Sequence, residues 1–377
     1  MDFTFTEEQQ AAVEAAKAIF SDVAPDTVPS PALTPGAVSE DLDRPLWSRL
    51  AAADLLGMVV SPEHGGAGLD PVALCLVLRE SARVLARVPL LETSAVAMTV
   101  ERYAPRHTAA ELLPRVSRGE LVLTAASQGR TGHDPAERAV TARRDGTTWI
   151  LDGLQTAVPW AHGADLVAVP AHTPEGRTVL ALLPRTHDGL VLAAQYSTNG
   201  ELLAELRLDA VRLDDTHLID ADGAWEWLRA LLTTGTCALA LGLGEAVLTM
   251  TSQYTGKREQ FGHPVATFQA VAVQTADRYI DLRAMEATLW QAAWRLSSAS
   301  EGALPAAGDI AVAKIWASEG VRRVVQTAQH LHGGFGADTD YPLHRYHAWA
   351  KHLELSLGPA AAHEEALGDL LAAHPLG

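Results

Sequence analysis

Apolar and polar residues follow a helical period over the first 120 residues of the chain. Thr6 is followed three residues later by Gln9, the spacing of a capping box, and small apolar residues then mark one helix face. A glycine-rich loop at 61–70 precedes Pro71, which suits the first turn of a helix. Two further helices are predicted at about 45–56 and 72–85.

The pattern changes from helical to period two at Leu121. Residues 204–210 alternate apolar and charged side chains, as in a half-buried strand. Asp145-Gly146 lies between two strand-like runs and predicts a hairpin. We therefore predict a β unit over 121–222.

From Ala224 the helical pattern returns. Because short connections favour antiparallel neighbours, we predict a four-helix bundle. Its helices are predicted at 225–254, 267–297, 306–331 and 344–355. The predicted domains are an α-helical one at 1–120, a β-barrel or β-sandwich at 121–222, and the bundle at 223–377.

Charge and composition exclude several kinds of partner. With 46 acidic and 29 basic side chains, the net charge of −17 disfavours nucleic acid and anionic membrane surfaces. No signal peptide and no uninterrupted apolar stretch of roughly 18 residues is present, so we expect a cytoplasmic protein. Cys75 and Cys237 are expected to be buried thiols, and no metal site is predicted.

The first of two motifs in the last third of the chain is YTGKREQFGHPVATFQAV, residues 254–271. Arg258 supplies a cation with a fork of donors that suits a pyrophosphate. Phe261 offers an aromatic face, and Gly262 allows close approach to the backbone. Taken alone, such a stretch is more often a turn between helices than a cofactor loop.

The second motif is QHLHGGFGADTDYPLHRYHAWAK, residues 329–351. Amide groups of Gly333, Gly334 and Gly336 can point at phosphate or ribose oxygens. A single glycine-rich helix end is usually a cap. Because the two motifs occur together, we interpret them as a dinucleotide-binding pair.

With the GGAG loop near residue 65 and the predicted hairpin, these motifs resemble the acyl-CoA dehydrogenase family over essentially the whole chain. The resemblance implies that family's fold, with helical, β and helical parts, and an FAD closed over by loops of a neighbouring subunit. It therefore implies a dimer at minimum. The implied cofactor-binding residues are Arg258, Gln260, Phe261, Gly262, Gln269, His330, Gly333 and Gly334.

Departures from the family pattern concern the flavin pocket and the catalytic base. His330 stands where the family usually has glutamine, and Pro159 falls in the segment beside the flavin ring, where it offers no donor. The family's base is a glutamate that removes the α-proton of an acyl thioester. The two positions where relatives carry it align with Leu357 and with Leu232 or Thr233. Glu354, three residues from the first position, is the candidate base in this chain.

Three hypotheses follow for the function. The first is a subunit of a heterotetrameric, FAD-dependent acyl-CoA dehydrogenase, whose homologous partner supplies the base and which passes electrons to an electron-transfer flavoprotein. The second is a stand-alone homotetramer that uses Glu354 on an acyl-CoA or acyl-carrier thioester. The third is a non-catalytic scaffold, since fold and activity are separable.

Overall fold

Three successive groups of secondary structure make up the chain in the computed structural model. It describes residues 4–25, 27–39, 41–131, 138–298, 302 and 304–374. The chain runs from helices through strands back to helices, which is the order that the sequence predicts.

The N-terminal helices begin at the signals that the sequence carries. The Gln9 amide N–H donates to Thr6 Oγ1 at 3.2 Å, and the Thr6 N–H donates to Gln9 Oε1 at 3.0 Å. Both bonds of the predicted capping box are thus made. Asp70 caps the helix that begins at Pro71. The helices are α1 (Glu7–Phe20), α2 (Arg44–Ala52), α3 (Pro71–Arg83), α4 (Leu90–Tyr103) and α5 (Arg106–Ser117).

The middle strands form one eight-stranded mixed sheet with the order β6-β7-β3-β2-β4-β5-β8, and β1 pairs with β4. The strands are β1 (Leu123–Ala125), β2 (Val140–Asp145), β3 (Thr148–Pro159), β4 (Leu166–His172), β5 (Thr178–Pro184), β6 (Leu190–Tyr196), β7 (Leu202–Asp214) and β8 (Leu218–Ile219). The β2–β3 hairpin turns after Asp145, as predicted. In β7, Ala204, Leu206 and Leu208 are buried while Arg207 is exposed, so the period-two pattern does mark a one-sided strand.

Helices return after the sheet. They are α6 (Ala224–Lys257), α7 (Gln269–Ser298), α8 (Ala306–His332), α9 (Leu343–Leu355) and α10 (Ala360–Ala373), and a short hairpin of β9 (Glu259–Gln260) and β10 (His263–Pro264) joins α6 to α7. Within the described part of the chain, five α-helices follow the sheet rather than the predicted four. The additional helix is α10, which packs on α8.

Helix α6 is the core of this half of the protein. It packs against α3, α4, α7, α8 and α9, and apolar residues surround most of its circumference. By length and composition it is apolar enough to cross a membrane, but 83% of the qualifying window is buried inside the protein. It therefore packs as the central helix of a helical bundle.

Candidate functional site

The first motif folds into an exposed hairpin at the end of α6. Arg258 ends the helix: its N–H donates to the Tyr254 carbonyl at 2.8 Å, and its own carbonyl accepts from Val265 N–H at 2.7 Å. Both the N–H and the carbonyl of Arg258 are thus hydrogen-bonded to the backbone. Its side chain is exposed and forms no hydrogen bond or ion pair within the described part of the chain.

Phe261 lies at the tip of this hairpin in a strained conformation. Its side chain is 91% exposed, and its φ of 54° is left-handed. Gly262 follows with φ 79°, so both residues of the two-residue turn have positive φ, as a type I′ hairpin requires. A bulky residue rarely adopts this conformation, which costs about 1–3 kcal/mol and is found mainly at functional sites.

The second motif forms an open glycine loop at the end of α8. Gly333 has φ 59° and ψ −139°, a conformation that essentially only glycine adopts. A Cβ built on Gly333 or on Gly334 would meet no atom within 4 Å. The backbone of both residues is therefore accessible to a ligand.

An aromatic cluster of Tyr254, His332, Phe335 and Tyr341 joins the two motifs. Tyr254 stacks on His332 with ring centroids 4.3 Å apart and on Phe335 at 5.4 Å. His332 Nδ1 lies 2.8 Å from the Ala328 carbonyl, and its Nε2 lies 3.0 Å from Tyr341 Oη. Burial lowers the pKa of His332, which suits a neutral ring that donates from Nδ1 and accepts at Nε2. The cluster fixes the glycine loop beside the end of α6.

The other predicted cofactor residues occupy the same end of the helical bundle. Gln260 lies in β9, Gln269 begins α7, and His330 lies in the last turn of α8, and all three are exposed. An unpaired guanidinium, exposed amides, an aromatic face and open glycine backbone are a donor set that fits a dinucleotide.

A cavity lies where the three parts of the chain meet. Its wall takes residues from α3, α4, α6, α9 and the strands β3 and β7, and the space within it for the centres of water-sized molecules is about 110 Å³. Most of the wall is leucine, alanine or valine. The cavity is thus suited to an apolar ligand.

Leu357, at the first position aligned with the family's catalytic glutamate, lies on the wall of this cavity, and so does Leu232, one of the two candidates for the second position. Thr233, the other candidate, is buried but is not part of the wall. Leu357 is 6% exposed and Leu232 is 3% exposed, and each contributes to the lining. Leu357 has φ 60°, an unusual value for leucine, and it directly precedes Gly358. The turn that would present a base therefore presents a leucine.

Glu354 does not line the cavity. Its carboxylate pairs with Lys351 Nζ at 2.7 Å, while Leu353 on α9 and Leu357 in the turn after it reach the cavity. Its backbone carbonyl accepts from Lys314 Nζ at 3.1 Å. The geometry therefore gives no support to Glu354 as the base, and that assignment stays a prediction.

The sequence reading missed two carboxyl groups that do reach the cavity, Glu92 and Glu201. Glu201 is paired with Arg87, whose Nε lies 2.6 Å from Glu201 Oε1. The Trp160 side chain lies close enough to the Glu92 carboxyl to favour its charged form. Burial, with a smaller contribution from the Glu201 charge, raises the pKa of Glu92 to about 7. No local signal in α4 distinguishes Glu92 from an exposed glutamate.

Strand β3, beside the expected position of the flavin ring, offers few free hydrogen-bond donors. The Ala157 N–H donates to Gln195 Oε1 at 2.8 Å, so that amide is already engaged. Pro159 has no N–H, and its carbonyl accepts from Thr124 Oγ1 at 2.7 Å. A β-bulge between Gln155 and Val158 accompanies this arrangement.

Comparison with known proteins gives the same family for both ends of the chain. Residues 6–120 match the model described as acyl-CoA dehydrogenase, N-terminal domain, and residues 232–371 match that described as acyl-CoA dehydrogenase, C-terminal domain. Together these models cover well over half of the chain.

Individual proteins are similar over the full length. Acyl-CoA dehydrogenase FadE27 of Mycobacterium tuberculosis is 34% identical over 387 residues and covers 100% of both chains. A chain of the ChsE4-ChsE5 complex from the same organism is 33% identical, with a TM-score of 0.91 and full coverage of both chains. A chain of a variant of the Tcur3481-Tcur3483 steroid acyl-CoA dehydrogenase is 37% identical, with a TM-score of 0.88, covering 97% of this chain and 98% of that one.

These comparisons confirm several predictions made from the sequence. The three-part fold, the oxidoreductase class acting on CH–CH groups and FAD as the cofactor of the family agree with the matched models and relatives.

Proposed function

Because the chain belongs to the acyl-CoA dehydrogenase family, we propose that it is the subunit of a heteromeric acyl-CoA dehydrogenase that completes a flavin site and leaves the base to its partner. The reaction is α,β-dehydrogenation of an acyl thioester. FAD, when bound, accepts the hydride from the β-carbon. The residues of this chain bind and orient the cofactor rather than move the proton.

The observation that carries this proposal is the exposed half-site formed by the hairpin and the glycine loop. Arg258 is a cation without a partner in the described part of a chain whose net charge is −17. Phe261 and Gly333 keep strained or glycine-only conformations beside it, and both are exposed among the residues that the structure describes. A dinucleotide bound across a subunit boundary would use all of these groups.

The base-lacking role rests on the cavity. Removal of the α-proton needs a carboxylate placed at the reacting carbon. Leu357 and Leu232 occupy the two places where the family provides one, and Glu354 pairs with Lys351 instead. We infer that the carboxylate comes from a homologous subunit. Since Ala157 and Pro159 offer no free donor to a flavin ring, we expect one flavin per pair of subunits.

An exposed apolar surface on α7 supports association with a homologous chain. Val273, Tyr279 and Ile280 are each more than half exposed, and Phe268 at the start of this helix is 37% exposed. Large exposed apolar patches mark interaction sites. The surface adjoins the hairpin that carries Phe261, so one partner would cover both. Among the similar proteins, ChsE4-ChsE5 is a complex of two differently named subunits.

Two further parts of the proposal follow from the reaction class. The substrate is a thioester of coenzyme A or of an acyl carrier, and its acyl group enters an apolar pocket. The reduced flavin passes its electrons to an electron-transfer flavoprotein. We place the complex in the cytoplasm.

Co-purification tests the heteromeric assignment. The chain is purified alone and with homologous acyl-CoA dehydrogenase subunits encoded beside it, and flavin absorbance and reduction of an electron acceptor by acyl-CoA are measured. We expect the chain alone to contain little flavin and to show no turnover. One of the pairs should contain flavin and oxidise acyl-CoA. Flavin binding and turnover by the chain alone, abolished by Glu354→Gln, would instead establish the stand-alone enzyme.

A further inference from the structure

We propose that Trp160 fills the place of a flavin ring beside strand β3 and thereby excludes the cofactor from this chain's own sheet. The inference rests on the proposed function, in which each pair of subunits holds one flavin, and it names the residue that sets this number. Trp160 directly follows β3, whose last residues border the expected position of the ring.

The backbone at the end of β3 has an unusual conformation. Ala157 has φ 52° and Trp160 has φ 59°, both in the left-handed region that residues other than glycine rarely adopt. The carbonyl of Trp160 accepts hydrogen bonds from Gly163 N–H and Ala164 N–H, each at 2.9 Å. A left-handed tryptophan persists only where the surrounding structure imposes it, and such residues cluster at functional sites. The turn after β3 therefore fixes the direction of the indole ring.

Trp160 contributes to the wall of the cavity where the three parts of the chain meet. Ala157 and Pro159 line the same cavity, so Trp160 stands beside the part of β3 that would face a flavin ring. Trp160 is partly buried and packs against the apolar core. Indole is a flat, fused aromatic system, as the flavin ring is, and the two cannot lie on one surface at the same time. The side chain of Trp160 therefore competes with a flavin ring for this place.

Other parts of the protein already bind the polar groups of β3 that could hold a flavin ring. Gln195 Oε1 accepts from the Ala157 N–H at 2.8 Å, and Gln195 Nε2 donates to Thr156 Oγ1 at 2.9 Å. The Pro159 carbonyl accepts from Thr124 Oγ1 at 2.7 Å. A flavin ring carries carbonyl oxygens and ring nitrogens along its edge, and their burial without donors costs free energy. An indole has a single N–H and is otherwise apolar, so it suits this strand better.

Lumiflavin, the flavin ring without its ribityl chain, tests whether Trp160 occupies the place of the ring. Quenching of lumiflavin fluorescence is measured with the unmodified chain, with Trp160→Ala and with Trp316→Ala, a control that removes an exposed tryptophan of α8. We expect Trp160→Ala to bind lumiflavin about tenfold more tightly than the unmodified chain, because the vacated space has the shape of a flat ring. Trp316→Ala should bind lumiflavin no more tightly than the unmodified chain.

Free indole gives a second readout, because it should return to the space that Trp160→Ala opens and compete there with lumiflavin. Trp160→Leu keeps more of the apolar packing and covers the case in which Trp160→Ala does not fold. It should show a smaller gain in lumiflavin affinity. Equal affinity of the folded variants and the unmodified chain for lumiflavin overturns the proposal. So does a gain in Trp160→Ala that free indole does not reverse.

The flavin content of the complex with a homologous partner separates this inference from the proposed function. A complex that holds no flavin, or two flavins per pair, contradicts the proposed function and the role of Trp160 together. A complex that holds one flavin per pair, combined with no gain of lumiflavin affinity in Trp160→Ala, overturns the role of Trp160 alone.

Discussion

Replacement of Glu92 by glutamine should stabilise the protein in a pH-dependent way. Glu92 is half-buried at the cavity wall, and the pKa of its carboxyl is raised from 4.5 to about 7, mainly by loss of contact with water. Between these two pH values the folded state keeps a proton that the unfolded chain has released. Stability therefore falls as the pH rises through this window.

The expected magnitude follows from the size of the pKa change. A shift from 4.5 to about 7 corresponds to about 3 kcal/mol at a pH above both values. This figure is an upper bound, because water in the cavity would solvate part of the charge. Glutamine has nearly the same shape and no charge to bury. Glu92→Gln should therefore be more stable than the unmodified chain by about 2–3 kcal/mol at pH 8 and by less than about 1 kcal/mol at pH 5.

Urea unfolding followed by circular dichroism at pH 5 and pH 8 measures this difference. Glu111→Gln, which changes an exposed glutamate on α5, serves as the matched control and should show no such dependence. A stabilisation by Glu92→Gln that is the same at both pH values would refute the assignment of a buried, proton-retaining carboxyl.

Three further substitutions test the buried lysine of α8, the exposed hairpin and the aromatic cluster. Lys314 is fully buried and burial lowers its pKa to about 8. Between pH 8 and pH 10 the unfolded chain keeps a proton on this lysine that the folded protein has released. The free energy of unfolding should therefore rise by about 2 kcal/mol from pH 8 to pH 10, as measured by urea unfolding. Lys314→Met should lack that rise. Phe261→Gly relieves a left-handed conformation and should raise the unfolding free energy of the isolated chain by roughly 1 kcal/mol, yet lower the flavin content of the complex. Tyr254→Leu removes the stacking in the aromatic cluster and should cost about 1 kcal/mol in unfolding and reduce bound flavin, whereas Tyr254→Phe should preserve both.

The sequence predicted those structural elements that are determined by residues close together in the chain. The capping box of Thr6 and Gln9 and the turn after Asp145 depend on residues within four positions of each other, and both form as predicted. Helix α10 was missed, although Pro359 precedes a run of strong helix formers there. The helical prediction stopped at residue 355, and the fifth helix completes the packing on α8.

The interior of the site could not be predicted because it depends on contacts distant in sequence. Glu92 and Glu201 are more than a hundred residues apart, and only the packing of α4 against the sheet brings both to one cavity. The ion pair of Glu354 with Lys351 is local, but which face of α9 reaches the cavity is decided by α6 and α8. The family resemblance located the two positions for the base, and the fold then placed Leu357 and Leu232 on one wall.

Whether this chain holds the flavin is measured by the flavin content of the complex that it forms with a homologous partner when Arg258 is replaced by alanine. Arg143→Ala is the matched control, since Arg143 is exposed on β2, away from the helical bundle. We expect the Arg258→Ala complex to lose most of its bound flavin while the subunits still associate, and the Arg143→Ala complex to bind as much flavin as the unmodified one. Undiminished flavin in the Arg258→Ala complex would contradict this expectation and would favour a scaffold that does not touch the cofactor.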